Sequence, residues 1–279
     1  MNMRRIGSLT AIALATAAPL SAWADRLDDI MSSKQIVCGV QAATPPFGFS
    51  DPTTRIQVGH DVDLCKAIAA KLGVTPQIRP LSTEGKVPEI KLGHVDIGVA
   101  NLAYTRTRGE QVQFSDPYYI TRETLVVPAA KGTMKLADFK GQRISTSKGS
   151  TSELAVKLQG GIAITFQDPA SAYLSVIQNK AVGFVNNEMT ARQYIQRAAE
   201  SGVKLAAIEE PMALEPISVG MQHEQPQLLA RINGILAELE KDGQMDVIWN
   251  KWIGPGTTYN MVRKDKVQPM TAIAFEPLP

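Results

Sequence analysis

The sequence predicts an α/β protein built as two lobes. A strand–helix alternation runs from about residue 35 to residue 103 and restarts near residue 143, and two amphipathic segments close the chain. Alternating strands and helices favour a mainly parallel sheet covered by helices. A restart after a β-rich link argues for two such units, not one long sheet.

The elements follow in chain order. QIVCGV, residues 35–40, is a short β-rich run and reads as the first strand. In VDLCKAIAAKLG, Leu64, Cys65, Ile68, Ala69 and Leu72 form one helical stripe and Gly73 supplies the stop. VTPQIRPL reads as a strand, VPEIKLG as a short helix, VDIGVANL as a strand and ETLVVPA as a further β-rich run. The second unit takes QRIST, ITFQ, AVGFVNN and KLAAI as strands, with STSELAVKLQ, AYLSVIQN and TARQYIQRAAES as helices. QPQLLARINGILAELEKDG is the clearest helix: Leu228, Leu229, Ile232, Ile235, Leu236 and Leu239 share a face, Pro226 opens it and Gly243 ends it. MDVIWNKWIG is a second amphipathic piece. From Pro255 the chain is Pro-rich, and a tail packed on the surface or partly disordered is expected.

The N-terminus bounds the compartment. Arg4 and Arg5 precede an Ala-rich apolar stretch, and Ala22 and Ala24 form an A-x-A pattern, so a secretory signal peptide cleaved after Ala24 is expected. No cysteine lies at the cut, which argues against a lipid anchor, and no run of about 18 apolar residues marks a spanning helix. Lys and Arg number 29 and Asp and Glu 27, and Arg4 and Arg5 account for the difference. A neutral mature chain lacks the basic footprint of nucleic-acid or membrane-surface binding. Cys38 and Cys65 are the only cysteines. An oxidising compartment would let them pair. Each lies in its own apolar run, however, and buried free thiols are the expectation.

Enzyme signatures are sparse. His60, His94 and His223 stand apart without metal-ligand spacing, so solvated or capping roles are expected and no metal or cofactor is implied. Residues 145–148, STSK, match the S-x-x-K acyl-enzyme motif, but Gly149 interrupts any helix and neither companion motif occurs, which makes it a chance match. What remains is binding apparatus. Gly149 and the hydroxyl residues Ser150, Thr151 and Ser152 open a helix, where free N–H groups favour an anion or an ordinary cap.

Four stretches carry a resemblance: PPFGF, GHDVDLCKAIAAKLG, LGHVDIGVANLAYTRTRGEQVQFSDPYY and ELEKDGQMDVIWNKWIG. In this order they resemble the extracellular solute-binding proteins of bacterial polar amino-acid ABC importers, over residues 36–254. The resemblance implies an α/β, two-lobed periplasmic binding protein fold with two hinge crossings and a ligand cleft between the lobes. The implied division is a signal peptide at 1–24, lobe one at 25–124 and 218–254, lobe two at 125–217, and a tail at 255–279.

It also implies a site. Arg108 would grip a ligand α-carboxylate through its planar fork. Asn101 and Ala103 would line the same wall, although Ala103 stands where the family has Ser or Thr. Ser150 and Thr151 fall on the carboxylate-binding helix start. Asn187 replaces the Asp that holds the ligand ammonium, so either Glu188 or another acid takes over or the ligand lacks a standard α-ammonium. Gln41, Thr44 and Thr83 complete the lining, and Lys86 matches a basic position in relatives that bind aspartate or glutamate. A cleft with Arg108 and Lys86 but no Asp at position 187 is short of negative charge, which implies an acidic amino acid or dicarboxylate. The expected role is that of a monomeric, non-enzymatic receptor that hands its ligand to a membrane permease. The alternative is a cyclohexadienyl dehydratase on the same scaffold. It needs a general acid, which Asn187 is not.

Overall fold

The computed structural model describes residues 25–279, so the expected leader and its cleavage site lie outside the described residues. Asp25 anchors two helices at once. Its carboxylate accepts from Leu27 N of α1 (Arg26–Ser33) at 3.0 Å, and from Gln227 N and Leu228 N at 2.7 and 3.1 Å. It thereby satisfies first-turn donors that a helix leaves open.

After α1 come β1 (Gln35–Gln41) and a small antiparallel sheet of β2 (Ala43–Thr44), β3 (Gly48–Ser50) and β4 (Gln57–Val58). Next stand α2 (His60–Leu72), β5 (Thr75–Leu81), α3 (Lys86–Lys91) and β6 (Ile97–Ala103), with β1 parallel to both β5 and β6. One helical turn, α4 (Arg106–Gly109), and β7 (Gln113–Phe114) lead to the long strand β8 (Tyr119–Pro128). The second alternation is β9 (Arg143–Ser147), α5 (Thr151–Leu158), β10 (Ile162–Phe166), α6 (Pro169–Ile177), β11 (Gly183–Asn187), α7 (Glu188–Glu200) and β12 (Leu205–Ala207). The chain returns along β13 (Ala213–Met221) to α8 (Pro226–Lys241) and α9 (Gln244–Trp252), and one 3-10 turn follows at Met270–Ala272.

Eight strands form one continuous path, β10-β9-β11-β8-β13-β6-β1-β5, with β12 beside β8 and β7 beside β13. This corrects the expectation that the two units do not share a long sheet. The cause is β8 and β13, which run antiparallel side by side where the chain crosses between lobes, residues 119–123 against 213–217. Each then pairs into a different half, β8 with β11 and β13 with β6. The apolar cores remain separate. Leu64, Ile68, Ile97, Leu228, Ile232 and Ile235 pack in one half, and Leu125, Ile144, Val156 and Val185 in the other.

One sequence expectation fails here. Cys38 and Cys65 are joined in a disulfide, with Cα atoms 6.4 Å apart. Both are fully buried as expected, but α2 packs on β1 so that the two apolar runs meet at the sulfurs, inside the range a disulfide spans. The tail packs on both halves. Tyr259 joins the first core and Leu278 the second. Arg263 is buried, paired with Glu240 at 2.5 Å and Asp246 at 3.0 Å. The Leu278 carbonyl accepts from Arg106 N at 2.9 Å.

Candidate functional site

The ends of β1 and β6, the start of α3 and the start of α5 converge on the crossing strands. Between the two halves they enclose a cavity of about 30 Å³ lined by Gln41, Thr44, Thr83, Lys86, Asn101, Glu123, Ser147, Ser150, Thr151, Ser152, Pro169, Asn186 and Asn187. The space suits a couple of waters and is too small for an amino acid, so the halves must part to admit one. Wider grooves open elsewhere, one of about 590 Å³ beside Tyr104 and Phe114 and one of about 510 Å³ along α7. Neither gathers the buried charges that this cavity does.

Lys86 is the first residue of α3 and its side chain runs inward. Nζ donates to the carbonyls of Ala100 and Asn101 at 3.2 and 3.0 Å. Burial, with Arg108 nearby, pushes its pKa down to about 7. Asn101 carries a positive φ of 44°, a conformation uncommon for a non-glycine residue. Asp61 holds it by accepting from Asn101 N at 2.6 Å, and the Tyr119 hydroxyl donates to its side-chain oxygen. Its carbonyl is thereby aimed at Lys86.

Arg108 is 7% exposed and sits in α4, whose cap is the Thr105 hydroxyl, 3.1 Å from Arg108 N. Its guanidinium spans the cleft, donating to Ala103 O at 2.9 Å and to Gly149 O of the other half at 3.1 Å. An exposed Lys148–Glu84 pair at 2.9 Å and the close packing of Gly149 on Glu84 shut the same edge. Gly149 has φ of 70°, which suits glycine, and a Cβ there would approach the Glu84 Cα at 3.0 Å.

Asn187 lines the cavity, but its side chain is already engaged. Its oxygen caps α7 by accepting from Thr190 N at 3.0 Å, and its amide donates to Asn186 at 3.1 Å. Glu188 faces away, among Arg192, Arg122 and Asp265. The acid at the cleft is one the sequence reading missed. Glu123 of β8 lines the cavity, accepting from Ser152 Oγ at 2.6 Å, and Thr151 Oγ1 donates to Glu215 of β13 at 2.9 Å. The register opposes Glu123 to Ala213 and Glu215 to Thr121, so the two carboxyls are diagonal neighbours on adjacent strands. Burial raises the pKa of both, and for Glu215 the Glu123 charge adds to it while Arg108 opposes it. The cleft is therefore not short of negative charge in the way the sequence implies.

His60 corrects another expectation. It is neither solvated nor a cap but buried beside Asp61, with its Nδ1 2.9 Å from the carboxylate, among Phe47, Tyr118, Tyr119 and Trp249. His94 and His223 are exposed as expected. Ser145 bonds Ala172 O at 2.8 Å, inside the sheet, which leaves the S-x-x-K match without chemistry. No metal-ligating cluster occurs among the described residues, and no helix among them is long and apolar enough to cross a membrane.

Two α/β halves joined by a crossing strand pair, with buried cations and helix-start hydroxyls at the seam, define a protein that clamps a small polar ligand. The chain belongs to the bacterial extracellular solute-binding proteins, family 3, which it matches over residues 36–255. The Escherichia coli (strain K12) L-cystine-binding protein TcyJ is 24% identical over 264 residues, covering 92% of this chain and 98% of TcyJ. The Bacillus subtilis (strain 168) glutamine-binding protein GlnH is 26% identical over 235 residues, covering 82% of this chain and 85% of GlnH. Among solved structures, an ancestral arginine-binding protein bound to glutamine matches with a TM-score of 0.72 at 33% identity, covering 79% of this chain and 98% of that one. The ancestral amino acid-binding protein AncCDT-1, described as a precursor of cyclohexadienyl dehydratase, matches with a TM-score of 0.73 at 29% identity, covering 83% and 100%.

Proposed function

We propose that this protein is an exported receptor that closes its lobes around an amino acid with an acidic side chain and presents the loaded form to an ABC permease. The observation that carries the reading is the pair of buried cations, Arg108 and Lys86, set against the α5 start across one seam. Arg108 takes the α-carboxylate as its Gly149 bond is released on opening, helped by the first-turn N–H groups of α5. Lys86 meets the side-chain carboxylate, and Gln41, Thr44, Thr83, Asn101, Ser150 and Thr151 line the remainder. Ser147 Oγ, buried in the cavity wall without a hydrogen-bond partner, is a further donor for the ligand. The lobe boundaries are assigned near residues 124 and 217, with the tail from residue 255.

Calorimetry with aspartate, glutamate, arginine, lysine and histidine tests the reading. The acidic pair is expected to bind more tightly. Arg108→Lys is expected to weaken that binding more than about tenfold, because a point charge cannot make the bidentate contact. A larger affinity for the basic amino acids removes the acidic preference, and unchanged affinity in Arg108→Lys removes Arg108 from the site.

A second reading draws on Glu123. A buried carboxyl with a raised pKa facing the cavity is the type of group a dehydratase uses as general acid. Incubation with prephenate or arogenate separates the readings: an aromatic product establishes the enzyme, and its absence leaves the receptor.

A further inference from the structure

The side chain of Asn187 is engaged with the first turn of α7 and with Asn186, and Glu188 faces other basic groups. Glu123 is the one carboxylate among the cavity-lining residues. Behind it stands Glu215, whose Oε1 is buried and receives no hydrogen bond from a donor group. A proton held between the two carboxyls accounts for that oxygen, since two adjacent buried carboxyls do not both ionise readily. Ser152 and Thr151 fix the pair from α5.

We propose that Glu123, backed by Glu215, is the acceptor for the ligand's ammonium group, and that binding of the ammonium releases the proton the two carboxyls share. The proposal rests on the reading that the cleft binds an amino acid, and it adds that the amine is obligatory. A pair holding one proton and one negative charge receives one R–NH₃⁺ and gives one H⁺ to solvent, leaving Glu123 ionised against the ammonium and Glu215 ionised behind it, with only that proton transferred.

The other titratable and charged groups facing the pair are Lys86 from α3, Arg108 from α4 and Tyr119 from β8, while Asp61 from α2 acts on Lys86 and Tyr119. Arg108 stays charged throughout. Burial and the surrounding negative groups hold the Tyr119 hydroxyl protonated, well above its ordinary range. Asp61 is committed to Asn101 N and His60. Lys86 is the group that confuses a raw proton count, because a ligand carboxylate beside it favours proton uptake near pH 7. The sign at the pair is opposite. Release on binding makes affinity rise with pH through the titration of the pair, which lies above the ordinary carboxylate range.

The experiment therefore compares L-glutamate with glutarate, which keeps both terminal carboxylates and lacks only the amine. Calorimetry in buffers of different ionisation enthalpy counts the protons. Glutamate is expected to release about one proton more than glutarate and to bind at least about tenfold more tightly. Glu123→Gln is expected to abolish both differences while glutarate still binds. If arginine is the tighter ligand, the same comparison is made with 5-guanidinopentanoate. Equal affinity and equal proton counts for a ligand and its amine-free counterpart in the unaltered protein overturn the proposal, whether or not the variant folds. A Glu123→Gln protein that retains the preference also overturns it. If neither an amino acid nor its counterpart binds, the receptor reading itself fails and this proposal with it.

Discussion

Lys86 shows how a single side chain can be cheap to read in sequence and costly to keep in the fold. Its ammonium is buried against two carbonyls, and burial with the Arg108 charge depresses its pKa to about 7. An unfolded lysine titrates near 10.4. Between those values the unfolded chain holds a proton the folded chain does not, so this group adds to stability as pH rises from about 7 to about 10. Below pH 7 the folded protein carries the full penalty of a buried charge. Lys86→Met, ligand-free, is thus expected to gain melting temperature relative to the parent at pH 6 and to lose part of that gain by pH 9.5. A constant difference across the range means that Lys86 does not titrate in the fold. The family resemblance marks the same residue as a cleft cation, whereas its inward direction depends on the carbonyls of Ala100 and of Asn101, whose φ is positive.

At the scale of elements, spacing revealed most of what the helices do and little of what adjacent strands bring together. The apolar stripe of α8 and its Pro226 and Gly243 boundaries appear as expected, because burial of one face at a 3.6 period is a local property. Glu123 and Glu215 escaped notice because each is an isolated acid in its own β-rich run. Only the β8–β13 register makes them neighbours. Cys38 and Cys65 escaped for the same reason, since the β1–α2 packing that joins them is a tertiary fact. Their bond closes a loop with a sequence separation of 27, for which chain-entropy arguments give about 3–4 kcal/mol of stabilisation. Replacing both by Ala is expected to lower the unfolding free energy measured by urea denaturation by an amount of that order, and the midpoint with it. With both sulfurs buried, reductant added to the folded protein should act only as the protein opens. A double variant with an unchanged midpoint contradicts the disulfide's contribution.

For the whole molecule, the two halves are held by more than the crossing strands. The tail begins in the first core with Tyr259, pairs Arg263 with Glu240 and Asp246, caps β8 through Asp265, which accepts from Ile120 N at 3.1 Å, and finishes with Leu278 in the second core. On the way Phe275 packs edge-on against Tyr104, and Arg106 of the first half donates its backbone N–H to the Leu278 carbonyl. The Arg106–Glu276 ion pair at 2.8 Å is 60% and 86% exposed at its two ends, so it adds little. The strap therefore ties the closed halves mainly through one backbone hydrogen bond and one aromatic contact, together worth about 1–2 kcal/mol. Opening the cleft while Leu278 stays in its core must stretch or break them. Removing residues 270–279 is then expected to shift the free protein toward the open form and to weaken ligand binding about fivefold or more, the factor that about 1 kcal/mol produces when the competent state is the minor one. Small-angle scattering should give a larger radius of gyration for the ligand-free truncated protein, converging with the full chain when ligand saturates both. If scattering and affinity both match the full-length protein, the tail packs on the halves without biasing their closure.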